Sequence, residues 1–249
     1  MCKQSKELVL ITGGSSGIGK ELGKEFIKRG YIVIITSSNK KKLYNTYEEI
    51  QKNKNGDNLK TIVCDVTKEE DVKEMITKVE ELKVTVSILI TCAGVSKSKD
   101  SERVMPYSIQ ELPKDEWDSI LNVNLKGVFL TNKAILNIMK KQRYGQIINI
   151  GSSTTKYGLR GQPYAPAYCA SKFAVMGLGK SLSHELEEYG ITVQTICPGL
   201  VETPLTENTA LKTLFDGKAM KPKNLAKSIA DMIESNKMIK TLNPFYLPN

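Results

Sequence analysis

The run Thr12-Gly-Gly-Ser-Ser-Gly-Ile-Gly19 holds the first residues whose types and spacing could do chemistry. Gly13, Gly17 and Gly19 permit a tight turn and let the backbone approach a pyrophosphate. They leave its charge facing the free N–H groups and dipole of a helix N-terminus, with Ser15, Ser16 and Ile18 completing the turn. Glycines alone are weak evidence, but an apolar run precedes them and a helical pattern follows, which is the context a dinucleotide turn needs. Two other chemistries overlap the same residues. Gly13-Gly-Ser15-Ser-Gly17 fits the nucleophile elbow of a serine hydrolase with Ser15 as nucleophile. Its base could only be His184, which lies inside a helical pattern where a solvated or structural histidine is the common outcome. Gly14 to Lys20 approaches a P-loop, yet Glu21 stands where a hydroxyl for magnesium belongs.

The elements that must position such a turn alternate along the chain. Short β-rich apolar runs at 8–12, 31–36, 60–66, 87–92, 146–150 and 192–197 read as strands, with a short last one at 245–247. Helical stretches fall at 16–29, 40–52, 68–82, 114–142, 168–189 and 224–235. This alternation predicts an α/β fold: a doubly wound Rossmann sheet, mostly parallel, of six to seven strands with helices on both faces. No repeat or low-complexity linker interrupts it, so residues 1–249 are expected to form a single domain. Polar loops at about 95–114 and 200–222 are left to shape a substrate pocket.

Composition sets outer bounds. No apolar run reaches the roughly 20 residues needed to span a bilayer, and Met1 to Gly14 carries no signal-peptide cleavage pattern. A cytoplasmic enzyme is expected. The formal charge of +9 comes from scattered lysines with no basic helix interleaved with aromatics, so nucleic acid is not an expected partner. A positive field does suit anionic substrates or a phosphorylated cofactor. Cys2, Cys64, Cys92, Cys169 and Cys197 are odd in number and show neither a CxxC nor a metal-pair spacing. They read as reduced thiols, and no metal site is expected.

Further along, the motifs become specific. TGGSSGIG, Asp65-Val66 after the third strand, NVNLKG at 122–127, IINIGSS at 147–153, YCASK at 168–172 and CPGLVET at 197–203 follow one another at the predicted strand ends. In order and placement, over about residues 8 to 204, they resemble the short-chain dehydrogenase/reductase family. The resemblance implies an NAD(P)-dependent oxidoreductase that moves hydride to or from a carbonyl or alcohol carbon.

It also implies roles. Tyr168 would be the acid/base, and Lys172, four residues on and on the same helix face, would tune it and hold the nicotinamide ribose. A free tyrosine has a pKa near 10. A neighbouring ammonium and the positive nicotinamide would favour tyrosinate and bring that value down. Ser152 would hold the substrate oxygen. It precedes Tyr168 by sixteen residues, a few more than the family spacing, so Ser153 stays open as the alternative and the excess is assigned to 161–167. Asn124 would disturb helix bonding and carry a water toward the lysine.

For the cofactor, Asp65 and Val66 resemble adenine-edge contacts, Ala93 and Gly94 a loop beneath the nicotinamide side, and Pro198, Gly199 and Thr203 the carboxamide end. About twenty residues past the glycines, where an NAD enzyme places a carboxylate for the ribose 2′-hydroxyl, this chain has Ser37, Ser38 and Asn39, then Lys40, Lys41 and Lys42. NADP is therefore expected, with NAD as the alternative. Thr91-Cys92 replaces the family's Asn-Asn before Ala93-Gly94, so those asparagine contacts do not transfer. The expected partners are a small carbonyl or alcohol, including a carrier-protein or coenzyme A thioester, and a second copy of the chain in a homodimer or homotetramer. The reading from another class is a dinucleotide-binding regulator without catalysis.

Overall fold

A computed structural model describes residues 7–52, 58–97, 107–153, 164–207, 219–235 and 245–247. Seven strands form one sheet: β1 (Leu8–Thr12), β2 (Ile32–Ser37), β3 (Leu59–Val63), β4 (Val86–Thr91), β5 (Gly145–Ile150), β6 (Ile191–Pro198) and β7 (Phe245–Leu247). Every pair is parallel, in the order β3-β2-β1-β4-β5-β6-β7. The order reverses between β1 and β4, and a doubly wound sheet opens a ligand crevice at that switch point. β1, β4 and β5 are buried along their whole length, as strands covered on both faces must be.

The helices are α1 (Gly17–Lys28), α2 (Lys40–Gln51), α3 (Glu69–Glu80), α4 (Lys114–Leu121), α5 (Gly127–Gln142), α6 (Pro166–Glu185), the single turn α7 (Pro204–Glu207) and α8 (Pro222–Ser235). Alternate strand residues feed two cores. Ile11, Ile35, Ile90 and Ile148 pack with Leu22 and Phe26 of α1 and Leu225 and Ile229 of α8. Leu10, Ile34, Leu89 and Ile147 pack on the other face with Met75 of α3 and Leu130 and Ile135 of α5. At about 25 cal/mol per Å² of apolar area, these faces fix which side of each strand is which.

Two differences from the sequence reading bear on the site. The helix expected over 114–142 is interrupted by a π-helical turn, Asn122–Lys126, that holds Asn124. β3 ends at Val63 rather than at 66, which leaves Asp65 and Val66 in the turn beyond it. Helix α6 also begins two residues earlier than expected and stops at Glu185, before a short 3₁₀ turn at Glu187–Tyr189.

Register places a line of polar residues near the sheet's C-terminal edge. Thr36, Thr12, Thr91, Asn149 and Thr195 are lateral neighbours on β2, β1, β4, β5 and β6. All are buried.

Candidate active site

The glycine turn sits at the switch point and is closed by backbone contact. Gly13 has φ +69, and a β-carbon there would fall 2.6 Å from Ala93 Cα. One at Gly19 would fall 2.4 Å from the Gly13 carbonyl oxygen, so only glycine lets helix, turn and β4 meet this closely. Thr12 Oγ1 accepts the Cys92 and Ala93 N–H groups at 3.2 and 3.3 Å, joining β1 to β4 behind the turn. At the start of α1, Ser16 makes no side-chain cap and the first turn carries no acid. That uncapped N-terminus suits an anion. Ile18 packs on the core, and Gly17, at φ +51, lies beneath Thr203, whose Cβ would be 3.3 Å from an added β-carbon.

At the end of β2, Ser15 Oγ donates to Ser37 Oγ at 2.9 Å, which also accepts the Asn39 N–H at 3.2 Å. Asn39 Oδ1 caps α2 by accepting the Lys42 N–H at 2.9 Å. Asn39 is thus occupied as a helix cap, and Ser38 with the side chains of Lys40, Lys41 and Lys42 is exposed. Asp65 Oδ1 is taken by the N–H and hydroxyl of Thr67 at 3.1 and 2.8 Å, while Val66 packs against Gly127. Pro198 closes β6 and leads through Gly199 to Thr203, whose N–H donates to Thr206 Oγ1 at 3.1 Å.

The reacting pair lies in the first turns of α6, which starts at Pro166 where a missing N–H costs nothing. Lys172 is buried, its Nζ 5.8 Å from the centre of the Tyr168 ring, and it donates to the Ile150 carbonyl at 2.9 Å. A β-carbon on Gly94 would lie 3.7 Å from that ammonium. Lys172 therefore stands against the loop that follows β4, the same loop whose Ala93 touches Gly13. The serine that reaches Tyr168 is Ser152, hydrogen-bonded to the phenol.

Burial pushes the Tyr168 phenol above its ordinary value, and the Ser152 bond only opposes that rise. Burial also lowers Lys172 to about 8, against a slight upward pull from the Cys92 and Cys197 thiols. In each case desolvation disfavours the charged form. Both groups tend toward neutrality.

Asn124, expected to disturb helix bonding, lies in the π-helical turn, and its side chain has partners of its own. Its Oδ1 accepts the Val95 N–H at 2.8 Å, and its Nδ2 donates to the Val95 carbonyl at 2.9 Å and to Ser171 Oγ at 3.1 Å. The side chain is a clamp between the loop after β4 and the catalytic helix. Ser171 completes that clamp by donating to the Tyr168 carbonyl at 2.7 Å. Ser171, inside YCASK, has no role in the sequence reading, although a small hydroxyl three residues after the tyrosine is its visible signal.

The hydrolase arrangement is not assembled. Ser15 donates to Ser37, and His184 is exposed in the last turn of α6, about 18 Å along the helix from Lys172 at the usual rise per residue. The two substrate loops meet where Ser96 Oγ donates to the Leu205 carbonyl at 3.3 Å, and Val201 bridges Met220. Residues 98–106, 154–163 and 208–218, including part of the loop to which the extra spacing was assigned, lie outside the described residues. Among the described residues no helix is long and apolar enough to cross a membrane.

Comparison with known proteins agrees with this geometry. The model of the short chain dehydrogenase family matches residues 7–213. The chain is 32% identical over 237 residues to the 3-oxoacyl-acyl-carrier-protein reductase FabG of Rickettsia bellii, covering 92% of this chain and 90% of that one. It is 32% identical over 230 residues to the protein of the same name from Thermotoga maritima, covering 90% and 88%. Among solved structures, the 3-ketoacyl-(acyl-carrier-protein) reductase from Brucella melitensis complexed with NADH superposes with a TM-score of 0.84 at 26% identity, over 98% of this chain and 96% of that one. An actinorhodin polyketide ketoreductase with NADPH gives 0.82 at 28% identity, over 100% and 97%. With a glycine turn at the switch point and a Tyr-Lys pair beside it, the chain belongs to the short-chain dehydrogenase/reductase family and is an NAD(P)-dependent oxidoreductase.

Proposed function

We propose that this protein is an NADPH-dependent reductase that converts a ketone or 3-oxo carbonyl to the alcohol, with Tyr168, Ser152, Lys172 and Asn124 as its working residues. The observation that carries the reading is the hydrogen bond between Ser152 and a Tyr168 phenol that burial keeps protonated. A proton donor and a second hydroxyl then converge where a carbonyl oxygen can sit, which is what reduction needs as charge develops on that oxygen. When bound, the reduced nicotinamide supplies the hydride. Tyr168 gives its phenolic proton to the substrate oxygen, and Ser152 donates a hydrogen bond to that oxygen throughout. Lys172 would hold the ribose and supply positive charge beside the phenol, while Asn124 and Ser171 hold helix and loop together.

The cofactor fits the residues present. The uncapped start of α1 takes a pyrophosphate, and Ser37, Ser38 and the exposed Lys40 to Lys42 offer hydroxyls and positive charge to a 2′-phosphate. The relatives named as acyl-carrier-protein reductases and the net charge of +9 support a 3-oxoacyl thioester on an acidic carrier or coenzyme A as substrate. Self-association through α5 and α6, where Phe129 is exposed, belongs to the same reading and is tested by light scattering. A panel of 3-oxoacyl thioesters and simple ketones, followed by loss of NADPH absorbance, tests the function. Turnover of at least one member is expected. Tight NADPH binding with no turnover would replace the reductase by a dinucleotide-binding regulator.

A further inference from the structure

The polar line across the sheet is not required by the fold. Interior strand positions are most stably filled by apolar side chains, and a buried polar atom needs a partner to offset its lost hydration. Thr91 and Asn149 are nevertheless at most 2% exposed, as is Asn132 on α5. Asn149 Oδ1 gathers them, accepting Thr91 Oγ1 at 2.7 Å from β4 and Asn132 Nδ2 at 3.1 Å from α5. Gly179, two helical turns beyond Lys172 on α6, leaves room on the far side: a β-carbon there would lie 2.2 Å from Thr195 Oγ1 and 3.7 Å from Asn149 Nδ2. Immediately after Asn149, the Ile150 carbonyl receives the Lys172 ammonium.

We propose that Asn149, held by Thr91 and Asn132, is a positioning residue for Lys172: it fixes the end of β5 so that the Ile150 carbonyl meets the ammonium. This rests on the reductase reading above. Three elements, β4, β5 and α5, converge on one amide oxygen, and the carbonyl that follows it in the chain anchors the buried cation. Thr12, tied to the N–H groups of Cys92 and Ala93, extends the line to the glycine turn. Cofactor cradle and lysine anchor thus share one rigid register, and displacements of about 0.5 Å in such a frame are already felt in catalysis.

Thr91→Val tests this, since it keeps the shape and removes the hydroxyl. It is expected to lower kcat by about tenfold, the rate equivalent of one lost hydrogen bond, with the KM for NADPH changed less than about twofold. The Lys172 titration, read by NMR of ¹³Cε-labelled lysine and by the pH profile of kcat, should move to lower pH as the anchor loosens. Thr91→Ser should restore both. A folded Thr91→Val protein with an unmoved Lys172 titration overturns the inference, whatever its activity and even if its thermal midpoint falls. A moved titration in a protein whose parent turns over no carbonyl upholds the positioning role and overturns the reductase reading instead.

Discussion

Lys172 and Tyr168 stand one helical turn apart, the ammonium 5.8 Å from the centre of the phenol ring, and burial draws each toward its neutral form. At neutral pH the phenol is therefore neutral, while the lysine, near 8, still carries most of its charge. Holding a lysine near 8 instead of 10.5 makes the folded state bind its proton less tightly than the unfolded chain does. That cost is present in full below about pH 8. It shrinks as pH rises from there toward the unfolded value, because only the unfolded chain still holds the proton.

A Lys172→Met variant isolates this term. Relative to the variant, the wild type should gain about 1 kcal/mol of stability between pH 7 and pH 9. Urea unfolding at the two pH values measures it. A stability difference independent of pH would mean that Lys172 titrates as an exposed lysine does.

Ser171→Ala removes the hydroxyl that joins Asn124 to the Tyr168 carbonyl. Loss of one buried partner on each side should cost about 1–2 kcal/mol, read as a lower denaturant midpoint, together with a fall in kcat. An unchanged midpoint would show that the clamp through Val95 suffices.

Much of this site was legible because its signals are short-range. The glycine turn needs only a strand before it and a helix after it, and the Tyr168–Lys172 spacing needs only a helix. What escaped depends on the third dimension. The apolar pattern runs on through 114–142, so periodicity does not announce the π turn at Asn122–Lys126; only Asn124, through the family resemblance, pointed to disturbed helix bonding there. The line from Thr12 through Thr91 to Asn149 exists only once parallel register is set. Chain proximity reports the charge that Lys172 brings to Tyr168, whereas the burial that raises the phenol is a property of the packed structure. Asn39, expected to contact the cofactor, also caps a helix, a use that the sequence Asn-Lys-Lys-Lys equally allowed.

Arg29 tests how the cofactor half is braced. From the end of α1 it reaches Glu25 at 2.8 Å and Asp231 and Glu234 of α8 at 2.5 and 2.6 Å, with only 15% of its side chain exposed. Arg29→Met should lower stability by about 1–2 kcal/mol, less in roughly 1 M salt, as expected for a partly screened charge network. Thermal unfolding at low and high salt decides it, and a loss insensitive to salt would point to packing instead.

Replacing Lys40, Lys41 and Lys42 together by alanine should raise the KM for NADPH by about tenfold or more, the cost of a lost phosphate contact, and leave that for NADH little changed. A wild type that prefers NADH by tenfold would contradict the assignment of this surface to a 2′-phosphate.

The central claim is tested most directly by Tyr168→Phe, assayed for turnover of the best substrate and, separately, for NADPH binding by fluorescence. Removing only the phenolic oxygen should lower kcat by at least about a thousandfold, in the range of a lost general acid, with NADPH affinity within about threefold of wild type. Turnover that survives this substitution would contradict a proton donated by Tyr168.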